Sequence, residues 1–385
     1  MTSIPNYTCL ETIERTHRDP HSRLFKPVDT VRLEVSSVNG KELFAWPGGR
    51  RFEDKDVTSL VPGGAIGNGM FAGFAHTLFL SGSGAVHYWG EENVAGRGSV
   101  RYDYQLPPLM DGGWEIRSSS AKATVASKGS FWFDPVSLDL IRLEVRGEDL
   151  PIRLHLEEAV IDIDYARTHI GDSDALLPKR SELTMTHFSG EASRNVIEFS
   201  QCHEYGSEST ISFEAPSPSL PEAPKPRVRE VELPAGLLLP VELDTQIDSK
   251  TAAVGDALHA RVVQEVRYNG DLVVPRGAAL TGHIRSLDRR SAPASFAVGI
   301  EFTEVEWEGA HARFYAKLVD LDRKPAGMHR LQTYFDGRTE KVLIQSEIPG
   351  VGIFFVDGAG FRTPPGFRMG WRTLAPPGGA PNQRH

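Results

Sequence analysis

Residues 233–284 read LPAGLLLPVELDTQIDSKTAAVGDALHARVVQEVRYNGDLVVPRGAALTGHI and decide the fold class that the sequence predicts. Apolar and polar residues alternate along this stretch, and Gly or Pro stands wherever the alternation stops. Such period-two patterning broken by turn residues indicates short antiparallel strands. Asn269-Gly270 suits a tight hairpin, and Pro275-Arg276-Gly277 suits a turn with Gly at positive φ. The stretch therefore predicts a small closed or nearly closed β unit, without an evident catalytic constellation.

Several segments in and after this stretch form a family pattern: Leu233-Pro-Ala-Gly236, Leu239-Pro-Val-Glu-Leu243, Val273-Val-Pro-Arg-Gly277, Leu280-Thr-Gly282 and Phe361-Arg-Thr-Pro-Pro-Gly366, followed by Phe367, Met369 and Trp371. In these segments, roughly residues 233–372 resemble the β-barrel domain of TrbI-like conjugation-channel proteins, which belong to the core complexes of type IV secretion systems. The resemblance implies a barrel that docks envelope partners. Because we find neither an N-terminal transmembrane helix nor a long Pro-rich spacer, it implies a reused barrel module rather than a whole channel scaffold.

Length and composition describe a globular protein that does not bind nucleic acid. The 385 residues are enough for two domains, each with its own core. A formal net charge of -9 argues against a nucleic-acid partner, which requires a concentrated basic face. No window approaches the roughly 18 apolar residues of a membrane span. We therefore expect no transmembrane segment in this chain.

The N-terminal half is predicted to be one large antiparallel sheet, curved into a half-barrel around one or two helices. Residues 29–44 predict a hairpin that turns at Asn39-Gly40. Residues 9–18 predict a short helix with Leu10, Ile13 and His17 on one face, and a Gly-rich loop leads to a second helix over residues 70–80. Further strands are predicted at 85–89, 99–106, 114–117, 121–127, 129–134, 138–146, 152–166, 181–188 and 195–203.

Two groups of residues in this half carry a second family pattern. One is the hairpin Phe133-Asp-Pro-Val-Ser-Leu-Asp-Leu-Ile-Arg-Leu143, and the other consists of late-strand residues: Leu176-Leu-Pro178, Ser181 to Thr186, Phe199, Tyr205 and Ile211 to Phe213. In these features residues 5–214 resemble the periplasmic lipoprotein carriers of the LolA/LolB-like family. The resemblance implies a half-barrel that binds a lipid or a lipoprotein.

Four segments follow from these patterns: a half-barrel domain over 1–214, a linker over 215–232, the barrel over 233–373 and a disordered tail over 374–385. The linker contains five prolines without apolar periodicity, which is typical of an extended, semi-rigid connection.

The two cysteines, Cys9 and Cys202, bear on the compartment. They are either buried thiols in a reducing compartment or a disulfide that ties the N-terminus to the last strand of the first domain. We favour the disulfide. Residues 1–6 do not read as a secretory signal, so the protein is either cytoplasmic or exported with its leader trimmed. The cysteine pair and the channel-like barrel favour export to the periplasm or cell envelope.

Apolar side chains near the second predicted helix suggest a ligand groove. If the sheet curls without closing, they line a cleft for a lipid or an acyl chain; otherwise they form an ordinary core. Separately, Arg285, Arg289 and Arg290 follow the fourth barrel strand and either meet an acidic partner or lie in a solvated loop. The groove residues are Met70, Phe71, Phe74, Phe79, Trp89, Trp114 and Trp132.

We predict no catalytic residues, metal site or cofactor. Asp162 and Asp164 lie two residues apart and therefore share one face of a strand, which is most commonly a solvated face. In the alternative, they are catalytic carboxyls of a glycosidase, which needs two carboxyls that face each other across a cleft. Glu91-Glu92 indicates a polar loop. The loop from Gly64 to Gly69 matches no phosphate-binding motif and predicts a turn before a helix. Scattered histidines fit no metal-ligand spacing: His155, His169, His187 and His203.

Two functions from different classes remain. The first is a non-enzymatic cell-envelope protein that binds lipid, lipoprotein or an envelope partner. The alternative is an envelope glycan or lipid hydrolase that uses strand carboxylates such as Asp162 or Asp164. An open apolar groove would favour the first, and two facing carboxylates across a polar cleft would favour the second.

Overall fold

The computed structural model describes residues 7–38, 41–49, 52, 57–61, 65–80, 84–108, 114–117, 121–170, 173–204, 229–291, 294–321 and 348–376. The chain divides into two compact units, Met1–Ser207 and Glu208–His385. Most of the predicted linker and most of the predicted tail lie outside the described residues, so their boundaries remain predictions.

The first unit is an 11-stranded antiparallel sheet in the order β3-β2-β1-β11-β10-β9-β8-β7-β5-β4, with β6 paired to β7. The strands are β1 (Tyr7–Arg18), β2 (Lys26–Val38), β3 (Lys41–Ala45), β4 (Ala85–Val94), β5 (Arg97–Leu106), β6 (Trp114–Arg117), β7 (Lys122–Phe133), β8 (Leu140–Glu148), β9 (Leu156–Ile170), β10 (Ser173–His187) and β11 (Ala192–Glu204). Helical segments are short: α1 (Val57–Leu60), α2 (Gly73–Leu80) and a 3-10 turn, Ile152–Leu154. The predicted mainly-β class and curled half-barrel with few helices are confirmed.

The helix predicted over residues 9–18 is wrong, because this segment is strand β1. Two apolar residues three apart, Leu10 and Ile13, satisfied a helical spacing by coincidence. The buried residues instead follow a period of two, at Cys9, Glu11, Ile13 and Arg15. β1 pairs along its length with both β2 and β11. Pairing on both edges therefore overrides the weak helical pattern.

Two predicted strands, 121–127 and 129–134, form the single strand β7. Gly129 within it marks a close approach rather than a turn, because a Cβ there would lie 2.0 Å from the carbonyl oxygen of Glu144. The hairpin predicted over 29–44 is confirmed, since Val38 pairs with Lys41 and Val35 with Phe44; Asn39-Gly40 lie outside the described residues.

The second unit is a 9-stranded sheet in the order β12-β19-β18-β17-β14-β13-β22-β20, with β21 paired to β18, and β15 and β16 form a separate hairpin. Gly352 of β21 abuts Leu318 of β20 and the ring of Trp371 of β22, so the strands almost encircle a core around Trp371. The strands are β12 (Arg229–Glu230), β13 (Leu238–Leu243), β14 (Ala257–Val262), β15 (Val266–Tyr268), β16 (Asp271–Val274), β17 (Ala279–Ser291), β18 (Ala294–Trp307), β19 (Ala310–Arg313), β20 (Ala316–Leu321), β21 (Gly352–Asp357) and β22 (Arg368–Thr373).

The turns predicted in this unit have the expected backbone. Asn269 and Gly270 both have positive φ, 52° and 94°, as a tight hairpin between β15 and β16 requires. Gly277 has φ of 87° after Pro275. The predicted turn residues of the stretch 233–284 therefore have the backbone that tight turns require, and the stretch contains β13 to β16 and the start of β17.

Candidate functional site

A loop and α2 are held on one face of the first sheet by a half-buried carboxylate. Glu42 of β3 accepts hydrogen bonds from the backbone N–H groups of Gly69 (2.5 Å), Phe71 (2.9 Å), Ala72 (2.9 Å) and Gly73 (3.3 Å). Burial raises the pKa of Glu42, while these donors act in the opposite direction. The end of the glycine-rich loop at Gly69 therefore binds a carboxylate of the protein itself, in agreement with the predicted turn before a helix. We call this side of the sheet the helix-bearing face.

An aromatic strip extends from α2 to the edge strand β4 on this face. The ring of Phe79 lies 5.1 Å from Phe131 and 5.8 Å from Phe133. Tyr102 stacks on Phe131 at 5.3 Å, and Tyr88 meets Tyr102 at 5.7 Å. These five residues, Phe79, Tyr88, Tyr102, Phe131 and Phe133, are the aromatic groove.

The outer end of the aromatic groove is open. Tyr88 is 63% exposed and Phe79 37% exposed, whereas Phe131 is buried. Val86 and Leu80 beside them are also exposed. Among the described residues β4 is the last strand of the sheet, so one side of this apolar strip has no described strand beyond it. Large apolar side chains rarely stay exposed together without a binding role.

The other end of this face is a packed core. Met70, Phe71 and Trp114 are buried. Phe71 lies 5.5 Å from Phe199, and Phe74 meets Trp114 edge-on at 5.6 Å. A cavity of about 50 Å³ remains beside Trp114. Four of the predicted groove residues, Met70, Phe71, Phe74 and Trp114, therefore pack in an ordinary core rather than along an open groove.

Trp89 and Trp132 lie on the opposite face of the sheet. Along β7, Phe131 and Phe133 point to α2, so Trp132 between them points away. The guanidinium of Arg101 lies 4.6 Å from the ring of Trp89 and 5.5 Å from that of Trp132. The indole of Trp132 donates to Glu92. The structure therefore does not bring the seven predicted groove residues into one site.

Sequence reasoning missed four of the five groove residues. A signal was available, because aromatic residues recur two apart at Tyr102 and Tyr104 and at Phe131 and Phe133. Since side chains two apart share a face, neighbouring strands with this pattern predict an aromatic patch. Which strands are neighbours depends on the sheet order, which the sequence does not give.

The disulfide between Cys9 and Cys202 is confirmed, with an S–S distance of 1.97 Å. It bridges adjacent strands at a β-bulge: Thr8 pairs with His203 and Leu10 with Ser200, so that Gln201 and Cys202 together face Cys9. Gln201 accordingly has φ of 50°. The bond fixes the register of β1 and β11.

Asp162 and Asp164 belong to rows of charged side chains on the face opposite α2. Asp164 is paired with Arg142 at 2.7 Å. Asp162 lies between Glu144 and Glu182 on the flanking strands. The pKa of Asp162 is raised mainly by burial and, to a smaller extent, by the negative charge of Glu144. Asp162 and Asp164 therefore lie two residues apart on one face of β9 rather than facing each other across a cleft. Glu91 and Glu92, predicted as a loop, lie in strand β4.

The four scattered histidines do not converge on one site in the described structure, although His155 and His187 lie at the same end of the β9–β10 pair, where Phe188 N–H donates to the carbonyl of His155. His169 contacts Asp174 at 2.9 Å, at the end of the β9–β10 pair opposite to His187. His155 follows the 3-10 turn, and His203 meets the carbonyl of Gln201. A group in the second unit that the sequence did not suggest, Glu304, Glu306 and His311, places its ligand atoms within 4.8 Å of one another.

The arginines of the second unit do not form one surface patch. Arg285 is largely buried beside Glu301 at 3.3 Å, and burial lowers its pKa. Arg289 lies over the ring of Phe296 at 5.9 Å, and the side chain of Arg290 is outside the described residues. All three belong to strand β17 rather than to a loop after it. The expectation that they jointly face an acidic partner is therefore not met for Arg285.

Comparisons with known proteins found little similarity. No family model matches the chain. No curated protein matches it either. Among solved structures, a domain from Vibrio parahaemolyticus, described as belonging to a candidate outer membrane lipoprotein-sorting protein, aligns with a TM-score of 0.28 and 10% identity, over 55% of this chain and 89% of that one. So distant a likeness supports no inference about function. Within the described residues, no helix is long and apolar enough to cross a membrane.

Proposed function

We propose that the first unit binds a lipid or the acyl chain of a lipoprotein in the aromatic groove, without catalysing a reaction. The observation that carries this proposal is the exposed strip of Phe79 and Tyr88 next to a buried aromatic floor at a sheet edge. Acyl chains match such a groove because apolar walls with few polar groups recognise shape and apolar area.

The exposed area is sufficient for useful affinity. The exposed fractions of Tyr88 and Phe79, 63% and 37%, together equal about one aromatic side chain. An aromatic side chain covers roughly 200 Å². At about 25 cal/mol per Å², covering that area contributes about 5 kcal/mol before the cost of association. Leu80 and Val86 extend the same surface.

We further propose that the protein works in the periplasm or cell envelope. The Cys9–Cys202 disulfide supports an oxidising compartment. The second unit, which resembles TrbI-like barrels, is proposed to dock an envelope partner. Non-reducing mass spectrometry of protein from its own cells tests the compartment: two free thiols there would count against export.

The ligand proposal is tested by displacement of a fluorescent fatty acid from the purified full chain. We expect saturable binding at micromolar ligand, weakened at least about tenfold by Phe79→Ser or Tyr88→Ser. Val136→Ser is the matched control, since Val136 is 90% exposed but lies in the β7–β8 turn. Absence of uptake by the unmodified protein, or equal loss in the control, contradicts the proposal.

A further inference from the structure

An open cavity of about 690 Å³ lies on the face of the first sheet opposite α2. Its lining residues come from β1, β11, β10 and β9 and from Phe25, which precedes β2. On β11, Phe199 contacts Phe71 on the helix-bearing face, so Arg194, five residues earlier, points to the other face. We call this cavity the arginine trough; it is lined by Arg18, Phe25, Glu157, Glu158, Glu182, Thr184, Thr186, Ala192 and Arg194.

Two arginines of the trough are held by one aromatic ring. The guanidinium of Arg18 lies 5.3 Å from the centre of the Phe25 ring, and that of Arg194 lies 4.3 Å from it. The strand register makes the two residues diagonal neighbours, because Thr16 pairs with Arg194 and Arg18 with Ala192. Stacking on Phe25 therefore fixes both guanidinium groups at one wall of the cavity.

Neither arginine has an anionic partner within the described chain. The Nε atoms of Arg18 and Arg194 are both buried and make no hydrogen bond. Most other arginines on this face are paired, as Arg142 is with Asp164 and Arg146 with Glu144. A buried N–H group without an acceptor is unfavourable. Two guanidinium groups on one aromatic ring, both lining the cavity, supply charged donors that suit the oxygens of a phosphate or carboxylate.

The opposite wall of the trough is acidic. Glu158 is paired with Arg146 at 3.0 Å, and Glu182 with Arg180 at 2.9 Å. Glu157 is exposed and makes no ion pair in the described structure. A simple anion would leave this carboxylate unmatched. A ligand that carries an ammonium group close to its phosphate would satisfy both walls, and the hydroxyls of Thr184 and Thr186 add hydrogen-bonding groups between them.

We propose that the arginine trough binds a zwitterionic aminophosphate, with the phosphate on Arg18 and Arg194 and the ammonium group toward Glu157. Such a group occurs as a soluble phosphoethanolamine or as the headgroup of a membrane lipid. The site lies on the other face of the sheet from the aromatic groove and does not depend on the function proposed for that groove.

Isothermal titration calorimetry of the full chain with phosphoethanolamine tests the proposal, with inorganic phosphate and ethanolamine as separate arms. We expect phosphoethanolamine to bind more tightly than either. Co-flotation with phosphatidylethanolamine vesicles distinguishes a lipid headgroup from a soluble ligand. If the protein floats with the vesicles and the Arg18→Gln variant does not, the ligand is the lipid headgroup. If the protein binds phosphoethanolamine but does not float, the ligand is a free aminophosphate. No binding of either at millimolar concentration overturns the proposal.

The variants separate recognition from packing. Arg18→Gln and Arg194→Gln are each expected to weaken binding at least about tenfold, because each removes charge-assisted hydrogen bonds. Arg276→Gln, in an exposed turn of the second unit, is the matched control. Glu157→Gln should weaken phosphoethanolamine and leave inorganic phosphate unchanged. If Arg18→Gln does not fold, Arg194→Lys, which keeps the charge but loses the planar fork, replaces it. Equal affinity for phosphate and phosphoethanolamine, or arginine variants that lower only the melting temperature, refutes the proposal.

Discussion

The disulfide offers the sharpest test of how the first unit is held together. Cys9 and Cys202 are separated by 193 residues, so their bond closes a loop that contains nearly the whole unit. In the chain-entropy model, opening a loop of this length stabilises the unfolded state by about 5 kcal/mol. Replacing both cysteines by alanine should therefore remove about that much stability, mainly through the unfolded state.

Urea unfolding followed by tryptophan fluorescence measures this loss. A denaturant dependence of about 2.5 kcal/mol per M, reasonable for a domain of this size, converts the loss into a midpoint shift of about 2 M. The first unit holds four of the six tryptophans, at positions 46, 89, 114 and 132, so its transition dominates the signal. The unmodified protein measured with reductant is the matched control and should show a similar shift.

A shift below about 0.5 M would refute the reasoning. It would mean either that the unfolded chain retains contacts across β1 and β11, or that the bond strains the folded bulge at Gln201. The transition of the second unit serves as an internal reference, because its hydrogen bonds and core do not involve either cysteine. It should remain unchanged in the double variant.

Three further predictions follow from buried or crowded residues of the same unit. Burial, and then the charge of Glu42, hold the pKa of Glu11 well above its usual value of 4.5, so its contribution to stability is present below that pH and is lost as pH rises through the folded-state pKa. Glu11→Gln should remove this loss, so urea titrations should show a stabilisation of about 1–3 kcal/mol at pH 8 and a smaller one at pH 5; Glu14→Gln, on the exposed side of β1, should show neither, and equal effects of the two variants would contradict the argument. Gly129→Ala should lower the free energy of unfolding by at least about 1–3 kcal/mol, because the new Cβ meets the backbone of β8 at 2.0 Å; Gly98→Ala, with open space around it, is the control, and equal effects would contradict the packing argument. Glu42→Ala should accelerate hydrogen exchange at the amides of Gly69, Phe71, Ala72 and Gly73 while the amides of β1 stay protected, and unchanged exchange at those four would show that the carboxylate does not hold the loop.

The sequence predicted strands well where turn residues bounded them and poorly where they did not. Asn269-Gly270 located a hairpin because both positions need positive φ, which few other residue pairs adopt. Gly129 suggested a break between two strands, yet it lies within β7. A glycine in a strand pattern is compatible with a turn or with a close backbone approach, and only the position of β8 decides between them.

The first strand shows a different limit. The segment of residues 9–18 contains a buried glutamate and a buried arginine, so its inward positions are not uniformly apolar. Arg15 is tolerated inside because Asp29 of β2 pairs with it at 2.6 Å. Hydrophobic periodicity cannot detect a strand whose buried residues include an ion pair. The correct period appears only when the partner strand is known.

The candidate sites were hard to predict because each depends on which face a residue occupies. Trp132 and its neighbours Phe131 and Phe133 differ by one position, yet the former meets Arg101 and the latter meet Phe79. The aromatic residues near the predicted helix therefore suggested a single groove, whereas in the structure they lie on the two opposite faces of the first sheet. The arginine trough depends on the same parity, since Arg18 and Arg194 share a face only in the register that pairs Thr16 with Arg194. A shift of one residue would put one arginine on the helix-bearing face. The Cys9–Cys202 disulfide fixes the β1–β11 register at the opposite end of the same strand pair. The sequence suggested this cysteine pair but not the arginine trough, and the trough depends on the register that the disulfide fixes.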